Sequence, residues 1–313
     1  MHAVSGEAQL GLAARLWIYQ SERLPLVRTL GLLLVFSAAS INVSAFLAGV
    51  ARPGLAAYAV AWIVCFIIFA QLRASDEVKD REDDAAFRPE RPIPRGLVSL
   101  RLIVAIAVGL TPVALVLAAG YHGALAVPLL GVWLWLGLMS VEFGAPDWLK
   151  ARPLVYLVSH MLIMPLIDLF VTACEWLPRA GSPPAGLWLF LLLSFVNGCI
   201  LEIGRKIMAP EQERMGVETY SKLWGLERAV SVLAACLATS ALLLICVGAM
   251  TGTLVATAVV AAAALVGALR IVRDFRRRPS AASQARIDLV AGLWVAACYA
   301  TAGFLPLALG GGA

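Results

Sequence analysis

Charge is scarce in this sequence of 313 residues: Asp, Glu, Lys and Arg make up 14% of it, against about a quarter in a soluble globular domain. Polar faces are scarce as well. Leucine, alanine and valine fill long stretches without a periodic polar side, 61% of residues are hydrophobic and the mean hydropathy is +0.86. Water would not tolerate such stretches, whereas lipid tolerates them as helices that satisfy their own backbone. A soluble protein is therefore excluded, and the composition predicts an all-α, polytopic membrane protein. CxxC pairs and His/Cys clusters are missing too. The six cysteines (Cys65, Cys174, Cys199, Cys236, Cys246 and Cys298) stand singly, as small apolar helix residues do, which argues against a zinc site or a disulfide framework. No cleavable leader pattern opens the sequence, and residues 1–28 read instead as an interfacial segment.

Apolar runs long enough to span a bilayer, roughly 17–25 residues each, fall at about 29–50, 55–72, 98–119, 123–141, 153–177, 186–204, 229–250, 253–270 and 288–309. These nine predicted helices form one membrane domain over 1–313. Charged segments (1–28, 71–101, 142–152, 202–228 and 270–287) alternate with apolar turns such as "GVARPG", "AGYHG" and "GAMTGT". Every Lys and Arg except Arg52 and Arg179 lies in the charged set. That asymmetry predicts a cytoplasmic N-terminus and an external C-terminus, in a multi-pass protein of a bacterial inner membrane. It also accounts for the net charge of +5 without nucleic acid as a partner. The cluster "RDFRRRP" (273–279) reads as a topology anchor at anionic lipid. The longest connections, 73–97 and 205–228, both fall on the cytoplasmic side and are rich in charge.

The first of these raises the functional question. Asp76, Glu77, Asp80 and Asp84 follow the spacing DExxDxxxD directly after an apolar run. If the second span continues as a helix, positions i, i+4 and i+8 stack on one side, with Glu77 beside Asp80. Neighbouring carboxylates repel, and a divalent cation would offset that repulsion. Mg²⁺ prefers one or two carboxylates together with phosphate oxygens. The plainer alternative is a solvated loop whose acids pair with Lys79, Arg81 and Arg88. Downstream, "RPIPRG" is a stiff basic turn in which Pro92 and Pro94 fix the backbone and Arg91 and Arg95 can face an anion.

Asp76-Glu77-x-x-Asp80-x-x-x-Asp84 followed by Arg91-Pro92-Ile93-Pro94-x-Gly96 resembles the first aspartate-rich motif of the UbiA superfamily of intramembrane prenyltransferases. The usual form there is NDxxDxxxD with RPxxxG. The span count, the N-terminal orientation and "ERLPL" (22–26) also fit, so the likeness extends over nearly the whole chain. Two features depart from the pattern. Asp76-Glu77 replaces Asn-Asp, keeping oxygen ligands and adding a charge. The second motif, a DxxxD or DxxDxxxD at the end of the sixth span, is replaced by "EIGRKIMAPEQERMGVETYSKLWG" (202–225). Its "GVETYSKLWG" is similar to a Gly-Val-x-Thr segment of the family.

The resemblance implies an Mg²⁺-dependent enzyme with Asp76, Asp80, Asp84 and Glu202 as catalytic residues, and with these four and Glu77 as metal ligands. Arg91, Arg95, Lys150, Arg205, Lys206 and Lys222 are then the candidate diphosphate ligands. Arg205 and Lys206 could touch phosphate directly where the family uses a second metal. The alternative is an ordinary Glu202–Lys206 surface pair, or an inactive relative that has lost its metal. Arg152, beside Lys150 in "DWLKARP", shares the position of basic family residues.

Trp62, Phe69 and Asp76 recur every seven residues, so they lie near one line, where aromatic faces could stabilise a carbocation; ordinary packing or lipid contact is the commoner reason for such a stripe. Asn42, His160, Asp168 and Asn197 are polar residues inside spans, either pinning helices together or lining a pocket. Asn42, His160 and Asn197, with Trp62 and Phe69, are taken as the candidate prenyl pocket.

Three functions compete. The first is ionisation of an allylic prenyl diphosphate and transfer of the prenyl group to an acceptor, with release of pyrophosphate. The second is ionisation followed by cyclisation without acceptor, as in a UbiA-type terpene cyclase. The third is a membrane transporter, against which stand acids clustered at one membrane face and the lack of a visible repeat with broken helices.

Overall fold

The computed structural model describes residues 10–310; the first nine residues of the 1–28 segment lie outside them. Its described part begins with α1 (Leu12–Arg23), which leaves Leu12 and Trp17 exposed and buries Tyr19. Eight helices follow as membrane-crossing pieces: α2 (Leu26–Ala48), α3 (Leu55–Lys79), α5 (Leu100–Tyr121), α6 (Ala126–Ser140), α10 (Leu187–Lys206), α12 (Leu226–Met250), α13 (Leu254–Arg277) and α14 (Ala281–Ala308). The remaining crossing is made of two helices, α8 (Pro153–Met161) and α9 (Ile163–Ala180). Pro165 accounts for the break, because it has no N–H to return to the Met161 carbonyl. Among the described residues, nine segments are long and apolar enough to cross a bilayer, and no strand occurs. The chain is an all-helical, multi-pass integral membrane protein.

Each crossing packs against its neighbours in the chain, and α14 closes on α2. Contacts of α2 with α9 and of α10 with α14 tie the ring across its middle. The α2–α14 contact is close because Gly303 has no side chain: a Cβ there would lie 2.3 Å from the Ala39 Cα, the small-residue device of membrane helix pairs.

Polar pins join the same helices. Asp168 accepts hydrogen bonds from Ser40 at 2.7 Å and from Tyr299. Asn42 donates to the Gly303 carbonyl at 3.1 Å and accepts from Tyr58 at 2.6 Å. Asn197 accepts from Ser240 at 2.8 Å, and Ser240 also accepts from Trp294. Bonds of this kind average about 0.6 kcal/mol in membrane helices. They fix registry more than they add stability.

The two long charged connections are largely helical. α3 runs on to Lys79, Asp80 is a one-residue joint, and α4 (Arg81–Phe87) follows; the Asp80 and Asp84 amides keep the i→i−4 pattern across it at 2.9 and 2.7 Å. Helix α10 likewise extends to Lys206, and α11 (Tyr220–Trp224) precedes α12. A short helix, α7 (Pro146–Lys150), lies between α6 and α8.

Candidate active site

The acid ladder on α3 and α4 divides into three environments. Glu77 turns to α1, where its carboxylate meets Arg23 Nε at 2.6 Å and Arg73 Nε at 3.4 Å, with its side chain 3% exposed. Asp84 is equally buried; Arg91 Nη1 holds both its oxygens at 2.6 and 2.7 Å, and Arg88 adds a contact at 3.3 Å. Asp76 and Asp80 stay half open, with side chains 49% and 46% exposed. Of the acid partners offered by a solvated-loop reading, Arg88 pairs with Asp84, Lys79 pairs with an acid outside the ladder, and Arg81 pairs with none among the described residues.

Asp80 faces a cleft of about 350 Å³ at this end of the bundle. Lys79, Arg88, Lys150 and Lys206 line the same cleft, from α3, the turn after α4, α7 and α10. Its far wall is the 216–220 turn, where Thr219 caps α11 by accepting from the Lys222 amide. Gly216 adopts φ +73, and a Cβ there would meet the Phe87 ring at 2.3 Å. Only glycine allows this approach.

Burial and the neighbouring charges of Asp76 and Asp84 raise the Asp80 carboxyl pKa above its ordinary value. A cation would relieve that cost. Among the described residues, no three His, Cys, Asp or Glu side chains converge into a metal cage. Two half-open carboxylates, Asp76 and Asp80, nevertheless suit a metal that takes few protein ligands and completes its shell with phosphate and water.

A second constellation went unread in the sequence. Lys79 Nζ lies 2.7 Å from Glu142, 3.1 Å from His160 Nε2 and 3.2 Å from Tyr156 Oη. His160 stacks on Tyr156 with ring centroids 3.9 Å apart, and its Nε2 is 3.3 Å from the other Glu142 oxygen. Burial alone would raise the Glu142 carboxyl, but His160 and the Lys79 ammonium beside it hold it at about 2. The backbone is left-handed at Glu142 and Phe143, φ 49 and 52. Such strain in non-glycine residues costs about 1–3 kcal/mol each and is tolerated where the surroundings over-determine it. Phe143, packed on Trp135 and His160, supplies that constraint. The available signal was a lone acid directly after an apolar run, followed by Gly144.

The other candidates are dispersed. Glu202 is clamped within α10 by Arg205 and by Lys206 at 2.8 Å. Arg95 meets Glu22 at 2.8 Å, and Lys222 donates to the carbonyls of Arg214 and Val217. Arg152 stacks over Trp148. Of the five pocket candidates, His160 reaches the cleft region through Lys79 and Tyr156. Trp62 donates to the Leu30 carbonyl at 2.9 Å, Phe69 packs edge-on against Phe36, and Asn42 and Asn197 serve the helix pins described above.

A sequence model of the UbiA prenyltransferase family matches residues 33–295. The chain belongs to that family. No curated protein matches the sequence. Among solved structures, one of digeranylgeranylglyceryl phosphate synthase superposes with a TM-score of 0.60 at 14% identity, covering 92% of this chain and 99% of that one. A UbiA homologue from Archaeoglobus fulgidus bound to GPP and Mg²⁺ gives 0.54 at 16% identity, with 90% and 99% covered. A UbiA homologue from Archaeoglobus fulgidus bound to Cd²⁺ gives 0.53 at 16%, with 88% and 97% covered. At these identities the likeness is one of fold. Within this UbiA chain, the end of α10 carries Glu202, Arg205 and Lys206 in place of an aspartate pair, and Lys206 lines the same cleft as Asp80.

Proposed function

We propose that this protein is a divalent-cation-dependent membrane enzyme that ionises an allylic prenyl diphosphate and transfers the prenyl group to an acceptor. The observation that carries the reading is one cleft in a UbiA-family chain, lined by the half-open Asp80 together with Lys79, Arg88, Lys150 and Lys206. Four cations thus share the cleft with Asp80, Asp83, Glu142 and Glu218, and Lys79 is already paired with Glu142. A diphosphate bearing a metal on Asp76 and Asp80 suits that balance. Relatives of this fold bound to GPP and Mg²⁺ or to DMAPP and Mg²⁺ support the choice of ligand.

In this reading Asp76 and Asp80 would hold a Mg²⁺, which when bound would supply positive charge to the leaving diphosphate. The chain's own residues do the rest. Lys79, Lys150 and Lys206 contact phosphate oxygens, so that the C–O bond breaks with its electron pair departing on pyrophosphate. Glu142, His160 and Tyr156 hold the Lys79 ammonium in place. Asp84 with Arg91, and Glu77 with Arg23, brace the helix joint that presents Asp80. The prenyl tail lies among the spans, the cleft opens to the cytoplasmic face of a bacterial inner membrane, and the whole chain acts as one domain.

A terpene cyclase of the same family would share the ionisation and differ afterwards. Membranes containing the protein are incubated with Mg²⁺ and a series of prenyl diphosphates, with and without aromatic or lipid acceptors. Pyrophosphate release that requires an acceptor supports transfer. A cyclic hydrocarbon or alcohol formed without acceptor overturns transfer in favour of cyclisation, and no consumption of any diphosphate overturns both.

A further inference from the structure

A second cavity, of about 550 Å³, lies between the start of α1, the start of α4, the 93–99 turn and the start of α5. It shares no lining residue with the Asp80 cleft. Three arginines line it: Arg15, Arg81 and Arg101. Elsewhere at this end of the molecule, Arg23, Arg73, Arg88 and Arg91 each sit on a carboxylate. These three have no carboxylate within 4.0 Å among the described residues. Among the described residues, the Arg15 Nε is buried there without a hydrogen-bond partner. A buried donor left unpaired costs about 1–3 kcal/mol, and no described residue supplies the acceptor. No acid lines it that could hold a metal.

The rest of the lining is apolar, chiefly Leu12, Ile93, Val98 and Leu102. Trp17, on the same short helix as Arg15, is 64% exposed, as an interfacial tryptophan is. Arg101 begins a line on α5 that continues through Val108 and Leu115, both exposed and seven residues apart. We propose that this cavity holds the headgroup phosphate of a net-anionic membrane phospholipid, with an acyl chain following the exposed face of α5. The shared chemistry is a phosphate anion. The apolar lining and the α5 stripe commit it to a lipid, because a free anion would use neither.

The full-length protein, purified in neutral detergent, is titrated with phosphatidylglycerol, phosphatidylcholine or inorganic phosphate. Bound lipid is read by native mass spectrometry, and the unfolding midpoint is followed in parallel. Phosphatidylglycerol is retained and raises the midpoint, while phosphatidylcholine is not retained. Each of Arg15→Gln, Arg81→Gln and Arg101→Gln weakens retention about fivefold, and the triple variant about a hundredfold. A control triple, Arg52→Gln with Arg228→Gln and Arg286→Gln, removes the same charge at exposed positions elsewhere and stays within about twofold of wild type. The proposal is overturned if the cavity triple keeps wild-type retention, or if the control triple loses as much. It is also overturned if inorganic phosphate raises the midpoint as far as the lipid does at equal concentration. Should the cavity triple fail to fold, Arg101→Gln alone decides by the same criteria, since its side chain is exposed.

Discussion

Replacing Lys79 by methionine tests whether the cleft cations act on substrate or only hold the protein together. Lys79 is 16% exposed and pairs with Glu142 at 2.7 Å while lining the cleft. Two losses follow from Lys79→Met. Breaking a largely buried pair leaves Glu142 uncompensated and costs about 3 kcal/mol of stability. Losing a charge-assisted contact to phosphate costs a further 1.5–3 kcal/mol or so in the transition state, about ten- to a hundredfold in rate. Glu142→Gln separates the two. It breaks the same pair from the other side, at a similar stability cost, but leaves the ammonium in the cleft. Unfolding midpoints in detergent and Mg²⁺-dependent pyrophosphate release are measured for wild type and both variants. The expected result is similar destabilisation with unequal turnover: Lys79→Met falls at least about tenfold below Glu142→Gln. If the two variants lose activity equally, Lys79 is a structural partner of Glu142 and its role on the diphosphate is refuted.

The ladder carboxylates should divide by burial. Asp76→Asn and Asp80→Asn are expected to abolish Mg²⁺-dependent turnover with little change in unfolding midpoint, whereas Asp84→Asn removes the buried partner of the partly exposed Arg91 and lowers stability by about 3 kcal/mol; equal midpoints in all three would contradict that division. Glu142 should give the fold an acid-sensitive step. Its carboxyl is held down from 4.5 to about 2, so its stabilisation, of about 3 kcal/mol, is complete above the unfolded value and fades as pH falls toward the folded one. Midpoints measured through that range should converge between wild type and Glu142→Gln, and parallel curves would remove the linkage. Lys206→Met should lower pyrophosphate release about ten- to a hundredfold at every Mg²⁺ concentration if Lys206 contacts phosphate, and leave it within about twofold if the Glu202–Lys206 contact is only a surface pair.

The nine crossings were legible because a membrane helix must be apolar along its whole length, so composition alone marks it. Nothing comparable marks pairing. Asp76, Glu77, Asp80 and Asp84 look equivalent as a spacing, yet Glu77 and Asp84 are buried on arginines while the other two stay half open. The difference comes from Arg23 and Arg91, which only the packing of α1 and the proline turn bring into contact. Asp168 was visible as a polar residue in a span, but its partners Ser40 and Tyr299 lie 128 and 131 residues away. The Lys79–Glu142–His160–Tyr156 group escaped for the same reason. Each member has an ordinary local explanation, and the group exists only where α3, the turn after α6 and α8 meet.

The altered end of α10 makes sense once the cleft is considered as a whole. A second aspartate pair there would add negative charge that only a second cation could offset. Glu202 with Arg205 and Lys206 leaves net positive charge instead, and Glu202 is satisfied by both bases within its own helix turn. The cleft's remaining acids are similarly committed where they are buried: Glu142 is held by Lys79 and His160. Asp80 is left open beside Asp76, together with the exposed Asp83 and Glu218, facing lysines from α3, α7 and α10. In the proposed function the α10 wall neutralises phosphate directly, without a metal of its own. Under that proposal the division of labour between metal and protein side chains moves toward lysine.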